Sequence, residues 1–209
     1  MSKNCFIFGA LDVEELIKRP TDSDFVIASD KGYLTVKKFG IKPDLTVGDF
    51  DSLGSVPETE NIIVLPAEKD DTDLNYAIRQ GLKQECDAFY FYGTFGGRSD
   101  MSLATLQSAT WLAKRGKTVY ITEPVCTIAV TGKNCFEFSD CVGGKLSVLS
   151  LTDSSHILVS GCKYSVHKTE ISNSFPLGVS NEITENSAKI TVLDGVCALF
   201  MTDCINSEF

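Results

Sequence analysis

The stretch LTVGDFDS, residues 45–52, joins a short apolar run to a pair of aspartates. An apolar run of this length is typical of a strand that is buried on both faces of a parallel sheet. Asp49 and Asp51 follow at positions i and i+2, which project to the same side of an extended backbone. Two carboxylates on one side repel each other unless a cation or a proton lies between them. The stretch therefore predicts a buried strand that ends at an acidic loop.

Further apolar runs of the first half have the same character, at residues 5–8, 25–29, 62–65, 88–92 and 118–121. Helical patterns lie between them. Residues 74–82 carry one apolar stripe, and residues 101–115 end before Gly116, a typical C-terminal stop. Residues 13–19 and 33–39 are shorter candidate helices. Strands that alternate with helices predict a mostly parallel α/β sheet with helices on its faces.

The pattern changes near residue 124. After it come short strands of alternating polarity, for example at residues 145–151, 156–159 and 189–193. Asp194-Gly195 separates two apolar runs, which is typical of a two-residue hairpin turn. We therefore predict the fold class α/β plus all-β, with an N-terminal α/β domain over residues 1–124 and a C-terminal β-sandwich over residues 125–209.

Composition and charge narrow the class of function. The chain has 209 residues, 19 Lys and Arg and 28 Asp and Glu, so its net charge is -9 and nucleic-acid binding is not expected. No apolar run approaches the roughly 20 residues of a membrane span, and the N-terminus lacks the pattern of a signal peptide. The 8 cysteines include no C-x-x-C pair. We therefore expect reduced thiols, no zinc site and a cytoplasmic protein without membrane association.

A second acidic segment, EKDDTD at residues 68–73, precedes the predicted helix over 74–82. Helix capping and the helix dipole explain one or two acidic or Thr residues at such a start. They do not explain three aspartates in four positions beside Lys69. The Lys69 ammonium can reach a phosphate oxygen while a neighbouring aspartate holds a metal ion.

A third segment, GGRSD at residues 96–100, lies between the strand over 88–92 and the helix from Met101. A glycine-rich loop at a helix N-terminus offers free N–H groups to an anion. Arg98 adds a planar set of donors suited to phosphate. An ordinary loop in which Asp100 caps the helix would show the same pattern, so the position of the segment in the fold has to distinguish the two.

The carboxyl ends of the strands in an open α/β sheet meet at one crevice, where ligands bind. Asp30, Lys31 and Gly32 follow the strand over 25–29 and reach that edge as well. The edge therefore collects six aspartates and two cations, namely Asp30, Asp49, Asp51, Asp70, Asp73, Asp100, Lys69 and Arg98. Such a set has the composition of a site for Mg²⁺ and polyphosphate. The chain has neither G-x-x-x-x-G-K-[ST] nor G-x-G-x-x-G, the two common glycine-rich nucleotide motifs.

These segments, in this order and spacing, resemble the thiamine pyrophosphokinase family. The matching strings are ASDKG (28–32), GIKPDLTVGDFDS (40–52), KDDTD (69–73) and GGRSD (96–100), with weaker matches at GCKY (161–164) and SNE (180–182). The chain departs from the family pattern at Lys31, where a small residue is usual. It also departs at Met101, where bacterial members often have His. Neither departure touches the aspartates.

The resemblance implies transfer of a pyrophosphoryl group from ATP to the hydroxyl group of thiamine, which yields thiamine diphosphate and AMP. It implies an ATP- and Mg²⁺-binding first domain, a thiamine-binding second domain and a homodimer with the active site at its interface. The expected Mg²⁺ ligands and catalytic residues are Asp49, Asp51, Asp73 and Asp100, with Asp73 or Asp100 accepting the hydroxyl proton. The expected contacts to ATP and its phosphates are Asp30, Lys31, Gly32, Ser52, Lys69, Asp70, Thr72 and Arg98. The expected thiamine contacts are Tyr164, Ser180 and Asn181, with the aromatic ring on the cationic thiazolium.

Two other functions fit the same residues. Another Mg²⁺-dependent phosphotransferase or phosphohydrolase would use the aspartates on a different alcohol or on water, and would release ADP or free phosphate. A non-catalytic sensor of thiamine or nucleotide would bind its ligand without turnover. The complete carboxylate set favours an enzyme, because a sensor has no need of so many charged groups in one cleft.

Overall fold

The chain divides into two compact units in a computed structural model that describes residues 3–66, 68 and 70–202, with Ser52 described by its backbone only. The first unit comprises the chain up to Ser108 together with Ile121–Pro124. The second comprises Ala109–Tyr120 and the chain from Val125 onward. A stretch of twelve residues before residue 124 therefore groups with the C-terminal part of the chain.

Five parallel strands form the sheet of the first unit, in the order β4-β3-β2-β1-β5. Their bounds are Asn4–Phe8 for β1, Phe25–Ser29 for β2, Leu45–Gly48 for β3, Ile62–Val64 for β4 and Ala88–Tyr92 for β5. β1, β2 and β5 are each buried at every residue after the first. This continuous burial agrees with a parallel sheet whose two faces are both covered. A sixth strand, β6, spans Thr118–Glu123 and ends in this unit.

Helices begin shortly after the carboxyl ends of the strands. α1 (Gly32–Lys38) follows β2, α2 (Asp73–Lys83) follows β4 and α3 (Ser99–Ala113) follows β5. A short 3₁₀ helix, Asp51–Leu53, follows β3. This alternation brings the helix N-termini to the edge of the sheet where the strands end. Among the described residues, no helix combines the length and the apolar character that crossing a membrane requires.

The second unit consists mainly of antiparallel strands. Four of them pair in the order β12-β9-β14-β7 and four others in the order β11-β10-β13-β8. Their bounds are Cys126–Thr131, Asn134–Ser139, Lys145–Ser150, Ser154–Ser160, Val166–Ser172, Asn181–Glu182, Ser187–Asp194 and Cys197–Thr202 for β7 to β14 in chain order. Burial alternates along β10 and β13, as expected for strands with one face toward a core.

The predicted fold class is confirmed, with a mostly parallel α/β part followed by antiparallel β-sheets. β2 and β5 coincide with their predicted bounds, and the other predicted strands and the two longer helices differ by no more than two residues at either end. In the described part of the chain, no helix begins after α3.

Residues 13–19 form no helix, so that prediction is wrong. The backbone N–H of Lys18 donates to the hydroxyl oxygen of Tyr92 at 3.1 Å, and the Tyr92 hydroxyl donates to the carbonyl oxygen of Lys18 at 2.9 Å. Tertiary hydrogen bonds thus replace the local bonds that a helix would need at this position. Pro20 follows, which also disfavours helix at Arg19.

Asp194-Gly195 does not form the predicted hairpin. β13 pairs with β10 and β8, whereas β14 pairs with β7 and β9. A type I′ turn requires positive φ at both central residues, and only Gly195 has it, with φ 71°. The Asp194 carboxylate instead accepts a hydrogen bond from the backbone N–H of His156 at 3.0 Å. The turn therefore carries the chain between two different sets of strands.

The expectation of reduced thiols is wrong at one position. Cys141 is disulfide-bonded, whereas the free cysteines of the described chain are Cys5, Cys86, Cys126, Cys135, Cys162 and Cys197. A disulfide requires Cα atoms about 4.4–6.8 Å apart. The spacing of cysteines along the sequence carries no information on that distance, so the pairing was not predictable.

Candidate active site

A cleft of about 650 Å³ lies at the carboxyl ends of the strands in the first unit. Residues that follow β1, β2, β3 and β5 line it, together with the first turns of α2 and α3. Five of the predicted site residues are among the lining residues, namely Asp30, Asp49, Thr72, Asp73 and Arg98. The fold therefore brings together side chains that lie up to 68 residues apart in the sequence.

Asp30 and Asp73 share a side-chain hydrogen bond in this cleft. Burial, this bond and the negative charges of Asp73 and Asp49 raise the pKa of Asp30 to about 7. The backbone N–H of Phe50 opposes the increase by donating to Asp30 Oδ1 at 3.3 Å. Two carboxyl groups can share a hydrogen bond only when one is protonated, so the pair shares one proton below about pH 7.

The loop after β3 places Asp49 toward the cleft. The backbone N–H of Asp51 donates to Asp49 Oδ1 at 3.2 Å, and Phe50 between them has φ 56°. Asp51 begins the 3₁₀ helix and is exposed. Of the two aspartates in this loop, Asp49 is the one that lines the cleft.

The start of α2 contributes Thr72 and Asp73. The Thr72 hydroxyl oxygen accepts a hydrogen bond from the backbone N–H of Asn75 at 3.2 Å, which makes Thr72 the N-cap. Asp71 also lines the cleft and forms an ion pair with Arg79. Although burial opposes ionisation, hydrogen bonds from Arg79 and Asn75 hold the pKa of Asp71 below its ordinary value. The Asp71 carboxylate is therefore ionised, and the positive charge of Arg79 balances it at the edge of the site.

The glycine loop, residues 96–100, presents Arg98 to the cleft. Arg98 Nε donates to Asp100 Oδ1 at 3.1 Å and Nη2 donates to Oδ2 at 2.7 Å. The two side chains are 76% and 64% exposed, so this ion pair contributes little to stability. The Arg98 guanidinium is thus held near the cleft by a partner that a phosphate oxygen can replace.

Several predicted ATP contacts are not among the described residues that line the cleft. Lys31 is exposed at the N-cap of α1, Gly32 is buried as the first residue of that helix, and Asp70 is exposed. Lys69 and the side chain of Ser52 lie outside what the structure describes.

Other lining residues were not predicted as site residues, among them Gly9, Leu11 and Gly93. The N–H of Gly9 donates to Tyr92 O at 2.7 Å and that of Leu11 donates to Gly93 O at 3.0 Å, so the chain after β1 continues beside the end of β5. A Cβ at Gly9 would lie 2.6 Å from Gly93 O, so only glycine fits there. Their position directly after a predicted strand, the same signal that identified Asp30, could have found Gly9 and Gly93.

The donors in the cleft fit a hard divalent cation. Within residues 3–66, 68 and 70–202, no group of three or more His, Cys, Asp or Glu side chains stands in the arrangement of a complete metal site. Mg²⁺ does not require one, because it keeps several waters and uses one or two carboxylates together with substrate phosphates. Asp30 and Asp73 are such a pair, since a cation can take the place of the proton that they share.

The three predicted thiamine residues lie together in the second unit. The backbone N–H of Tyr164 donates to Asn181 Oδ1 at 3.0 Å, and Asn181 Nδ2 donates to Tyr164 O at 2.9 Å. Ser180 precedes Asn181 in a left-handed conformation and donates its N–H to Ser147 Oγ at 3.0 Å. Tyr164 is 60% exposed. Tyr164 and Ser180 are therefore exposed to a ligand at this surface, whereas the Asn181 side chain is bonded to the backbone of Tyr164 and Glu182.

Solved structures from Bacillus subtilis and Candida albicans are among those similar to this chain over nearly its whole length. The structure of thiamine pyrophosphokinase from Bacillus subtilis is 22% identical, with a TM-score of 0.82, and the match covers 96% of this chain and 99% of that one. The structure of thiamin pyrophosphokinase from Candida albicans is 15% identical, with a TM-score of 0.72, over 96% of this chain and 89% of that one. At these identities the likeness shows the fold.

Sequence comparisons point to the same family. The thiamine pyrophosphokinase of Bacillus subtilis (strain 168) is 26% identical over 181 residues, which covers 81% of this chain and 83% of that protein. The family model described as "Thiamin pyrophosphokinase, catalytic domain" matches residues 18–121, and the one described as "Thiamin pyrophosphokinase, vitamin B1 binding domain" matches residues 136–197. Together the two matches span well over half of the sequence, and the chain belongs to the thiamin pyrophosphokinase family.

Proposed function

We propose that this chain transfers the pyrophosphoryl group of ATP to the hydroxyl group of thiamine in a Mg²⁺-dependent reaction that yields thiamine diphosphate and AMP. Family membership makes it a transferase of the kinase type. The observation that carries the proposal is the cleft in which Asp30, Asp49, Asp73 and Arg98 meet. Carboxylates that can hold Mg²⁺ beside a cation that can bind phosphate are the parts that phosphoryl-group chemistry needs.

We assign Mg²⁺ binding to Asp49 and Asp73, with Asp30 sharing the site. Asp51 and Asp100 complete the proposed ligand set. Each lies beside a lining residue: the backbone N–H of Asp51 donates to Asp49, and the Asp100 carboxylate accepts from Arg98. When bound, Mg²⁺ offsets the negative charge of the phosphate oxygens. The proposed contacts to ATP are Lys31, Gly32, Ser52, Lys69, Asp70, Thr72 and Arg98.

Asp73 is the proposed acceptor of the thiamine hydroxyl proton. As that proton leaves, the hydroxyl oxygen forms a bond to the β-phosphorus, and the bond from this phosphorus to the α–β bridging oxygen breaks, so AMP departs. Asp73 lines the cleft, whereas the Asp100 carboxylate is bound to Arg98. The hydroxyl is an ordinary alcohol, so positioning and electrostatic stabilisation supply most of the rate enhancement.

The two parts of the chain have separate proposed roles. Residues 1–124 bind ATP and Mg²⁺, and residues 125–209 bind thiamine through Tyr164, Ser180 and Asn181. The exposed Tyr164 ring suits a cationic thiazolium. We also propose a homodimer with the active site at its interface. A cytoplasmic location is part of the proposal, supported by the six free cysteines of the described residues.

A product analysis tests this function. The purified chain is incubated with thiamine, ATP and Mg²⁺, and the products are separated by chromatography. We expect AMP and thiamine diphosphate in equal amounts, both abolished by EDTA. ADP or free phosphate would indicate a different phosphotransferase or a phosphohydrolase, and ATP left intact by a chain that still binds thiamine would indicate a sensor.

A further inference from the structure

We propose that Lys18 is a positioning residue that fixes the β1–β2 loop, residues 9–24, so that Leu11 forms one wall of the cleft and supports ATP binding. The inference rests on the proposed function, because it concerns the affinity of the same cleft for ATP. Lys18 itself is not among the residues that line the cleft in the described chain. It acts through the loop that carries Leu11.

Lys18 is attached to two buried tyrosines of β5. Its backbone N–H and C=O both bond to the Tyr92 hydroxyl, at 3.1 and 2.9 Å. Its ammonium donates to the Tyr90 hydroxyl at 2.9 Å and lies 4.9 Å from the centre of the Tyr90 ring. Burial raises the pKa of Tyr90 to about 12, so this hydroxyl is neutral near pH 7 and the contact is a charge-assisted hydrogen bond.

The two tyrosines are rigid anchors. Tyr90 and Tyr92 are only 2% and 0% exposed. The Tyr90 ring stacks on Phe6 with the centroids 4.7 Å apart, and the Tyr92 ring stacks on Phe8 at 5.2 Å. Since β1 and β5 are paired along their length, these rings hold Lys18 at a fixed place relative to the end of β5.

The other end of the loop reaches the cleft. Leu11 bonds through its N–H to Gly93 O at 3.0 Å, and its side chain lines the cleft with 38% of its surface exposed. A Cβ at Gly97 would lie 3.0 Å from Leu11 Cδ2, so Leu11 rests against the glycine loop that carries Arg98. The loop is thus attached to β5 at Leu11 and again at Lys18.

Between these two attachments the chain has little support of its own. Residues 12–17 form neither helix nor strand. The carbonyl oxygen of Val13 accepts a hydrogen bond from Lys38 Nζ at 2.8 Å, an exposed contact. A segment with few backbone hydrogen bonds keeps its place mainly through its end attachments. Loss of the Lys18 ammonium leaves the two Tyr92 bonds as the attachment at this end. The segment is then held less firmly, and Leu11, which keeps its N–H bond to Gly93 O, leaves the wall in part of the molecules.

A smaller fraction of competent molecules weakens binding in proportion and leaves the chemical step of the bound enzyme unchanged. Lys18→Met keeps the aliphatic stem and removes the ammonium, and Tyr90→Phe removes the hydroxyl that receives it. We expect both to raise KM for ATP, by about tenfold for the loss of one charge-assisted bond, with kcat and KM for thiamine within about twofold of the wild type. Lys18→Arg should restore most of the affinity, because it keeps the charge.

The matched control is Lys38→Met, which removes a lysine contact to the same loop at an exposed position. We expect its KM for ATP to stay within about twofold of the wild type. The double variant Lys18→Met/Tyr90→Phe should be no worse than Lys18→Met alone, because both remove the same contact. A merely structural role would lower the unfolding midpoint and leave the KM for ATP of the folded protein unchanged, which would overturn the proposal. An additive increase of KM for ATP in the double variant would overturn it as well. So would an increase in Lys38→Met equal to that in Lys18→Met. If Lys18→Met does not fold, the KM for ATP of Tyr90→Phe tests the proposal in its place.

Calorimetric binding of ATP with Mg²⁺, in the absence of thiamine, separates this inference from the proposed function. Weaker binding by Lys18→Met than by the wild type, again about tenfold, would support the positioning role even if no AMP forms. Equal dissociation constants would overturn it while leaving the function intact. A wild type that binds no ATP would overturn both, and a wild type that binds ATP without forming AMP would refute the function alone.

Discussion

At the scale of single residues, the main electrostatic feature of the cleft is the proton that Asp30 and Asp73 share. Asp73→Asn removes the acceptor of the hydroxyl proton and one proposed ligand of Mg²⁺. We expect AMP formation to fall by about 10²–10³-fold, the scale of losing one preorganised electrostatic group, with the unfolding midpoint nearly unchanged. Asp22→Asn, at an exposed aspartate away from the cleft, is the matched control and should retain activity. Near-normal turnover by Asp73→Asn would remove Asp73 from the mechanism.

The pKa of Asp30 also makes the stability of the metal-free protein depend on pH. Burial and Asp73 raise this pKa to about 7 from an ordinary value of 3.8. The folded state therefore binds the proton more tightly than the unfolded state. The stabilisation is fully present below about pH 4 and is lost as the pH rises to about 7.

Unfolding curves in EDTA check this dependence. As the pH rises from about 4 to about 7, the stability of the wild type should fall relative to that of Asp30→Asn, which has no group to titrate at this position. A difference between the two proteins that stays constant over this range would contradict the shared proton.

At the scale of elements, the start of α2 joins stability to the site. Thr72→Ala removes the hydroxyl that accepts the bond from the backbone N–H of Asn75. We expect a loss of about 1 kcal/mol in the free energy of unfolding, the usual value for an N-cap. Thr72→Ser keeps the hydroxyl and should lose much less. Equal losses in the two variants, measured by urea titration, would mean that the cap is not what Thr72 contributes.

The elements also show what could be predicted from the sequence. β2 and β5 are continuous apolar runs because both faces of their sheet are covered, and such runs are recognisable without a structure. Residues 13–19 looked helical locally, but the bonds of Lys18 go to Tyr92, far away in the sequence. Local patterns carry no information on such a contact.

For the site as well, the charged residues were predictable from the sequence and their contacts were not. The aspartates were found because charge at strand ends is conspicuous, and Asp30, Asp49 and Asp73 do meet in the cleft. The pairing of Asp30 with Asp73 was not predictable, because it depends on how the tertiary fold places the start of α2 beside the end of β2. Leu11 was not predicted as a site residue, because an apolar side chain after a strand does not by itself indicate a ligand site.

At the scale of the whole molecule, the two parts of the chain should control the two substrates separately. Tyr164→Ala removes the proposed aromatic contact to thiamine in the second unit. We expect KM for thiamine to rise by about tenfold, in line with the loss of a cation–π contact, and KM for ATP to stay near the wild-type value. Tyr164→Phe keeps the ring and serves as the control. A rise in KM for ATP instead would place Tyr164 outside the thiamine site.

The fate of the β-phosphorus tests the central claim most directly. The chain is incubated with thiamine, Mg²⁺ and ATP that carries a radioactive label in its β-phosphate, and the labelled products are separated. Transfer of a pyrophosphoryl group predicts that the label moves into thiamine diphosphate and that the AMP formed is unlabelled. Label that appears in ADP would mean that a single phosphoryl group is transferred, and it would contradict the account.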